Sequence, residues 1–345
     1  MPTQDEDIAR PKKPTLRTVA SASGFAVTTV SRALAGDTRI AAKTRATIEC
    51  AAKDLGYVPD RAAQRLRTGQ TKVISLLLNP DHEYLGFTNE LMNGLSETLI
   101  GSDYAVSITP DFIRQDRMSV LERILTNRLA DGVVFTRTEP FDPRVRLLTE
   151  QGFPFVCHGR TEFTTPHPWV DFDNEAFARA AVRRLVAQGR SHLSMILPPA
   201  RYTFMEHLRY GFISEARSAG VRFEMPEDIT LESDPDEIAA SIKKRRTAAD
   251  APDGYVCVGE VIALATLATL QDTGLAPGRD VGVVAKRASP IFKHLRPRID
   301  TVFEDIRQTG RDIGRILLHR IRNEPIEDMH SLQAPIMEFG GPDAT

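Results

Sequence analysis

Side chains suited to covalent or metal chemistry are present in this chain but scattered. Cys50, Cys157 and Cys257 stand far apart, with no ligand spacing, and read as three reduced, partly buried thiols. Asp81-His82-Glu83 brings a base and two carboxylates together, but adjacent loop residues rarely converge on one atom. No Walker loop, glycine-rich dinucleotide fingerprint, zinc-ligand spacing or nucleophile–base–orienter set is present. The expectation is no catalytic residue, no metal, no cofactor and no enzyme activity. What does concentrate is recognition chemistry: Val27, Thr28, Thr29, Ser31 and Arg32 lie within one short stretch.

Those residues need an element to present them. Thr15 can cap a first helix over 16–23, whose Leu16, Val19 and Ala20 form an i, i+3, i+4 face, and Gly24 can end it. A second helix is expected over 27–35, burying Val30 and Leu34 and closing at Gly36. A third runs over about 42–55, burying Ile48, Ala51, Ala52 and Leu55, with Gly56 as its stop. Two helices joined by a glycine turn and braced by a third form a helix-turn-helix unit. In such a unit the second helix enters the major groove with its N-terminal residues toward base edges, which makes Val27, Thr28, Ser31 and Arg32 the outward positions. A generic three-helix bundle fits the same spacing.

The charge is unevenly shared. Residues 1–72 hold 13 Lys and Arg against 7 Asp and Glu, a net +6, whereas the rest hold 31 against 39, a net −8. A basic head on an acidic body suits a polyanionic partner, although solvated basic helices look alike in this respect. With 41% apolar and 26% charged residues among 345, collagen, a disordered tail and a disulfide scaffold are excluded. The longest apolar run, Val261 to Leu270, is interrupted by threonines, so no membrane span is expected. The opening Met1-Pro2-Thr3-Gln4-Asp5-Glu6-Asp7 lacks an apolar core and does not read as a signal peptide; a cytoplasmic location is expected.

From residue 72 short apolar runs alternate with amphipathic stretches. Buried strands are expected at 73–78, 104–108, 132–135, 155–157, 193–197, 255–258 and 281–284, with helices at 87–100, 116–129, 174–188, 206–219 and 260–273 among them. This alternation predicts an α/β body of parallel, doubly wound sheets, long enough for two of them. Ligands of such sheets bind at the carboxyl ends of strands. Polar residues there include His158 and Arg160 after one strand, Asp173 near another, Glu260, Lys286 and Arg287 at two more, and Glu304. Arg209, in Arg209-Tyr210-Gly211-Phe212 on a helix, joins this candidate set. Each could equally be a structural ion pair or a solvated charge.

Thr15-Leu16-Arg17-Thr18-Val19-Ala20, Gly24-Phe25-Ala26-Val27-Thr28-Thr29-Val30-Ser31-Arg32-Ala33-Leu34, Ala42-Lys43-Thr44-Arg45 and Leu55-Gly56-Tyr57-Val58-Pro59-Asp60 resemble, at unbroken spacing, the opening of the lactose-repressor (LacI/GalR) family of bacterial transcription regulators. The resemblance continues more loosely through the body. It implies a helix-turn-helix head over 15–60 behind a flexible arm (1–14), and a hinge helix with linker over 61–71. It also implies a periplasmic-binding-protein-like body: an N-subdomain of 72–168 and 301–324, a C-subdomain of 169–300 and 325–345, and an effector cleft between them. The implied crossings fall near Trp169, Thr301 and Pro325.

In the resembled family, residues matching Val27 and Thr28 choose the bases and the one matching Arg32 also reads the major groove. Arg suits bidentate contact with guanine and Val an apolar contact such as a thymine methyl. Thr29, Ser31 and Thr44 carry small hydroxyls suited to phosphate oxygens, and Thr15 joins the candidate DNA-binding set. The resemblance makes Arg61, Arg65, Leu66 and Arg67 part of a hinge that becomes helical when two subunits sit side by side on DNA, with Leu66 wedged into a minor-groove step. The implied partners are a pseudo-palindromic duplex, a second copy of the chain in a homodimer, and a small effector, with no membrane. The alternative is a sugar-binding receptor or transport component sharing the body fold.

Several positions depart from the family pattern. Ala26 replaces a capping Ser and Thr18 a frequent Asp; Gly159-Arg160 replaces an Asp-Arg pair; Arg209 stands one residue late; Gly259-Glu260 replaces Asn/Ser-Asp; and Arg287-Ala288 replaces a late acidic pair. The His-Gly-Arg-Thr and Ala-Lys-Arg-Ala-Ser variants resemble regulators of α-glucoside operons. Two effector classes fit: a neutral sugar, with Arg287 paired to Glu260 or Glu304, or an anionic sugar received by Lys286 and Arg287.

Overall fold

The computed structural model describes residues 13–79, 86–111, 117–324 and 328–340. The expected arm up to residue 12, the Asp81-His82-Glu83 run and the expected crossing at Pro325 lie outside the described residues. The chain separates into two compact units between Thr71 and Lys72.

In the first unit, α1 (Leu16–Ser23) opens on a reciprocal cap. The Thr15 hydroxyl accepts from the Thr18 amide at 3.3 Å, and the Thr15 amide donates to the Thr18 hydroxyl at 3.2 Å. A Thr in place of an acidic residue thus still completes a capping box. Gly24 ends α1 at φ 75°, a conformation that disfavours any side chain. The next helix, α2 (Val27–Leu34), starts at Ala26 with no side-chain cap, which costs it about 1 kcal/mol relative to Ser. Val19, Ala20, Val30 and Ala33 meet Ile48 and Ala52 of α3 (Ala42–Asp54) in a small closed core, with Leu34 and Leu55 half-buried at its edge.

The last helix of this unit, α4 (Arg61–Thr68), is formed here, although the resemblance implies that it gains its helix on DNA. Its residues are strong helix formers, but Leu66 is 89% exposed. A helix of eight residues whose described apolar side chains, Ala63 and Leu66, are exposed is marginal in water.

The second unit begins with β1 (Val73–Leu78), α5 (Gly86–Leu99), β2 (Ala105–Pro110), α6 (Arg117–Thr126), β3 (Gly132–Phe135), α7 (Pro143–Glu150), β4 (Phe155–His158) and β5 (Trp169–Phe172). It continues through α8 (Asn174–Ala187), β6 (His192–Met195), α9 (Thr203–Ser218), β7 (Arg222–Glu224), α10 (Pro235–Arg246), β8 (Gly254–Cys257), α11 (Glu260–Asp272), β9 (Gly282–Arg287) and β10 (Asp300–Phe303). It ends with α12 (Ile306–Arg322), β11 (His330–Gln333) and β12 (Ile336–Glu338). Among the described residues the strands form two six-stranded sheets, ordered β11-β5-β4-β3-β1-β2 and β12-β10-β9-β8-β6-β7. All pairings are parallel except β10 with β12.

The first two crossings fall three or four residues later than the resemblance implies and the third about nine later. Strand β5 pairs with β4 and β11 in the first sheet, because Val170 fills the core made by Val134 and Val156. Strand β10 stays in the second sheet, where Val302 packs with Val283 and Val284. The chain therefore changes lobe at Asp173, at Glu304–Asp305 and at Ala334–Pro335. In the first lobe α12 lies so close on α5 that a Cβ on Gly94 would meet the Arg307 carbonyl oxygen at 1.9 Å. Backbone contact this close requires glycine.

Candidate functional site

In the head, the register of α2 turns Val30 and Ala33 inward and leaves Thr28 and Arg32 exposed, with Val27 40% exposed. Thr29, Ser31 and Thr44 are half-buried, and Thr15 spends its hydroxyl on the α1 cap. In α4, Arg65 and Leu66 are exposed; of Arg61 and Arg67 only their helical backbone is described. Spacing did not single out Asp37 and Arg39 in the following loop. Asp37 Oδ2 accepts from Arg32 Nε at 2.9 Å and from Arg39 Nη2 at 2.9 Å. These bonds hold its carboxyl well below the usual carboxylate range, the Arg39 side chain contributing most.

In the body, a cleft of about 1120 Å3, measured to its open mouth, lies between the two sheets at the carboxyl ends of their strands. His158, Glu260, Lys286, Arg287 and Glu304 all line it. Lys286 Nζ reaches Glu304 Oε2 at 2.9 Å and donates to Asn174 Oδ1 at 3.1 Å. Glu260 is the first residue of α11, and its Oε1 accepts from the Ala288 amide (3.1 Å), the Ser289 amide (2.7 Å) and the Ser289 hydroxyl (2.8 Å). His158 is largely buried beside Phe87, with ring centroids 5.5 Å apart. Its Nε2 has no hydrogen bond with the described residues, Glu304 Oε1 being 3.9 Å away. Burial pushes this imidazole below its usual value, against the opposing pull of Glu304.

Arg287 differs from expectation in its partner, and Arg160, Asp173 and Arg209 lie outside the cleft lining. Arg287 is buried, but its guanidinium turns over the Phe303 ring to Glu338, not to Glu260 or Glu304. Glu338 lies on β12, two strands away, a partner that sequence neighbourhood does not disclose. Arg160 donates from Nε to Asp171 Oδ2 at 2.7 Å, and it is Asp171 that lines the cleft. The Asp173 carboxylate caps α8, accepting from the Ala176 amide at 2.9 Å. Arg209 is exposed and paired with Glu206, because Leu208 occupies the buried face of α9 and the next residue is turned about 100° away.

Sequence reasoning missed Phe87, Thr136, Arg137 and Phe204 in the cleft wall, and from the Asp171-Phe172-Asp173-Asn174 stretch it chose Asp173, whereas Asp171 and Asn174 line the cleft. Thr136 and Arg137 directly follow β3, so the strand-end rule itself could have found them. Arg137 has φ +57° and donates to Glu232, which also accepts from Arg201 and from the Tyr202 hydroxyl at 2.6 Å. With the Thr203 amide donating to the Thr138 carbonyl at 3.0 Å, these contacts join the two lobes along one rim. Among the described residues the Arg and Lys side chains lining the cleft, Arg137, Lys286 and Arg287, thus each face a carboxylate.

Residues 15–60 match the model of the bacterial regulatory proteins, lacI family, and residues 182–338 match the periplasmic binding protein-like domain. The chain carries a LacI-family helix-turn-helix head and a periplasmic-binding-protein-like domain. Its curated relatives include the HTH-type transcriptional regulator CelR of Thermobifida fusca, 27% identical over 92% of this chain and 95% of that protein. Another is the HTH-type transcriptional regulator AglR of Rhizobium meliloti, 27% identical over 90% of this chain and 88% of that one. The Lac repressor dimer solved with operator and the anti-inducer ONPF shares the fold, with a TM-score of 0.80 at 19% identity over 94% of this chain and 98% of its own. A CelR–cellobiose complex aligns at a TM-score of 0.67 and 24% identity, over 95% of this chain and 100% of its own. LacI-family members are transcription regulators rather than enzymes, and this chain is a DNA-binding regulator with a helix-turn-helix head. Among the described residues no helix is long and apolar enough to cross a membrane.

Proposed function

We propose that the chain is a cytoplasmic, homodimeric repressor of sugar-utilisation genes, released from a pseudo-palindromic operator by a neutral, hydroxyl-rich ligand such as an α-glucoside. The observation that carries the ligand class is the pairing of Lys286 with Glu304, Arg287 with Glu338 and Arg137 with Glu232. A phosphate or carboxylate would have to displace a carboxylate to be received, a nearly buried one at Lys286 and Arg137, whereas a sugar hydroxyl can bond to the same groups without breaking a pair. Asp171, Asn174, Glu304 and the imidazole of His158 supply acceptors and donors, and Phe87 and Phe204 supply apolar faces, the mixed lining that small-molecule sites use.

The relatives' names point the same way: CelR was solved with cellobiose, and the Lac repressor as a dimer on operator. On the DNA side, Val27, Thr28 and Arg32 are assigned to base edges and Thr29, Ser31 and Thr44 to phosphates. The hinge residues Arg61, Arg65 and Arg67 are assigned to the backbone and Leu66 to the minor groove. Calorimetry with maltose, cellobiose, a disaccharide phosphate and a sugar acid tests the ligand class. Heat from a neutral disaccharide is expected; binding of the anions alone, abolished by Arg287→Ala, would replace this reading with the anionic one.

A further inference from the structure

The loop after α2 is built around one carboxylate. Asp37 accepts the Arg39 amide and Arg39 Nε on Oδ1, both at 3.0 Å, and Arg39 Nη2 and Arg32 Nε on Oδ2, both at 2.9 Å. The loop backbone is itself pinned: the Asp37 amide donates to the Arg32 carbonyl at 3.1 Å, and Arg45 of α3 donates from Nη2 to the carbonyls of Asp37 (3.1 Å) and Ile40 (3.3 Å). The carboxylate is mostly covered, while the side chains of Arg32 and Arg39 are 50% and 76% exposed. Two exposed cations are therefore tethered to an anchored anion at the edge of the helix that carries the candidate base readers.

We propose that Asp37 is a positioning residue for DNA reading: it holds Arg32 aimed at a guanine and Arg39 aimed at a neighbouring phosphate. This rests on the head being a DNA reader. The Asp37 bond to Arg32 uses Nε, so it does not consume the two terminal amino groups, which suit the O6 and N7 acceptors of guanine end-on. Arg39 engages Asp37 through Nε and Nη2, leaving Nη1 outside that bidentate contact for a phosphate oxygen. A guanidinium ordered before DNA arrives loses less rotamer freedom on binding, and a fixed one rejects bases that a mobile one tolerates.

The readout is base preference, because mere removal of a negative charge strengthens binding to every duplex and mere loss of structure weakens it to every duplex. Full-length protein is used to select duplexes from a randomised pool. The starting chain enriches a two-fold related sequence. Asp37→Asn is expected to lose preference at one base pair per half-site, with operator-to-random discrimination falling about 10-fold, the scale of one bidentate base contact. Arg32→Lys, which keeps Asp37, should lose preference at the same base pair, and the double variant should lose no more than either single one. Arg39→Ala should keep all base preferences and flatten only the salt dependence. If Asp37→Asn selects the same sequence with the same discrimination, or the double variant loses the sum of the singles, the positioning role is wrong while the head remains a DNA reader. If the starting chain enriches no sequence, the DNA reading and this inference fall together.

Discussion

Lys286→Met is the perturbation whose size the cleft geometry sets most directly. Lys286 and Glu304 are 12% and 7% exposed and lie 2.9 Å apart, so removing the ammonium strands a nearly buried carboxylate with Asn174 and His158 nearby. Breaking such a pair from one side costs about 3–5 kcal/mol, against about 0–1 for an exposed pair. Taking the lower end, because the cleft opens to water, about 3 kcal/mol lowers the melting temperature of a body this size by roughly 6–12 °C. Glu304→Gln in the same background should restore more than half of that loss, since the stranded charge is gone. Glu304→Gln alone leaves Lys286 unneutralised, and calorimetry should then detect a disaccharide phosphate where the starting chain does not. Thermal unfolding of all four proteins decides. A Lys286→Met change under about 1 kcal/mol, or a double variant as unstable as the sum of the singles, would refute the neutralised cleft.

Three further outcomes are expected. Leu66→Ala should reduce DNA bending in permuted-site gel shifts and weaken specific binding, while non-specific binding persists with a slope near −5 in log K against log salt for about six neutralised phosphates; an unchanged bend removes the wedge. Gly94→Ala should destabilise the body by about 1–3 kcal/mol in urea titrations, because its Cβ would lie 1.9 Å from a backbone oxygen; a change within 0.5 kcal/mol, roughly the spread of surface substitutions, contradicts the close packing of α5 on α12. Burial holds His158, His167 and His207 below the usual imidazole value, so the unfolded chain takes up protons first as pH falls through about 6.5. Stability should therefore decline from pH 7 towards 5, less steeply in His158→Gln; identical pH profiles for the two proteins would remove His158 as a contributor.

The head was legible because its determinants are local. Gly24, Thr15 and the spacing of Val19, Val30 and Ile48 specify three short helices without reference to anything distant. Most central strands of the body were legible for a different reason, since residues buried on both faces form continuous apolar runs such as Val73 to Leu78; β5 and β10 were not, because Asp171, Asp300 and Thr301 interrupt theirs. Strands β11 and β12 were not, because His330–Gln333 and Ile336–Glu338 are sheet edges whose polar or exposed residues carry no such run. In the site, residue types at strand ends led to His158, Glu260, Lys286 and Glu304. Partner choice was hidden: Arg287 finds Glu338 and Arg137 finds Glu232 only through tertiary structure, and a single helical step separates buried Leu208 from solvent-facing Arg209.

A neutral sugar in the cleft is expected to control the hold of the head on DNA. The most direct measurement is fluorescence anisotropy of the selected duplex titrated with full-length protein, with and without a neutral disaccharide that binds by calorimetry. Coupling of the usual size, about 1–3 kcal/mol, predicts affinity for the duplex reduced about 5–150-fold by the sugar. An unchanged duplex affinity at saturating sugar would contradict it.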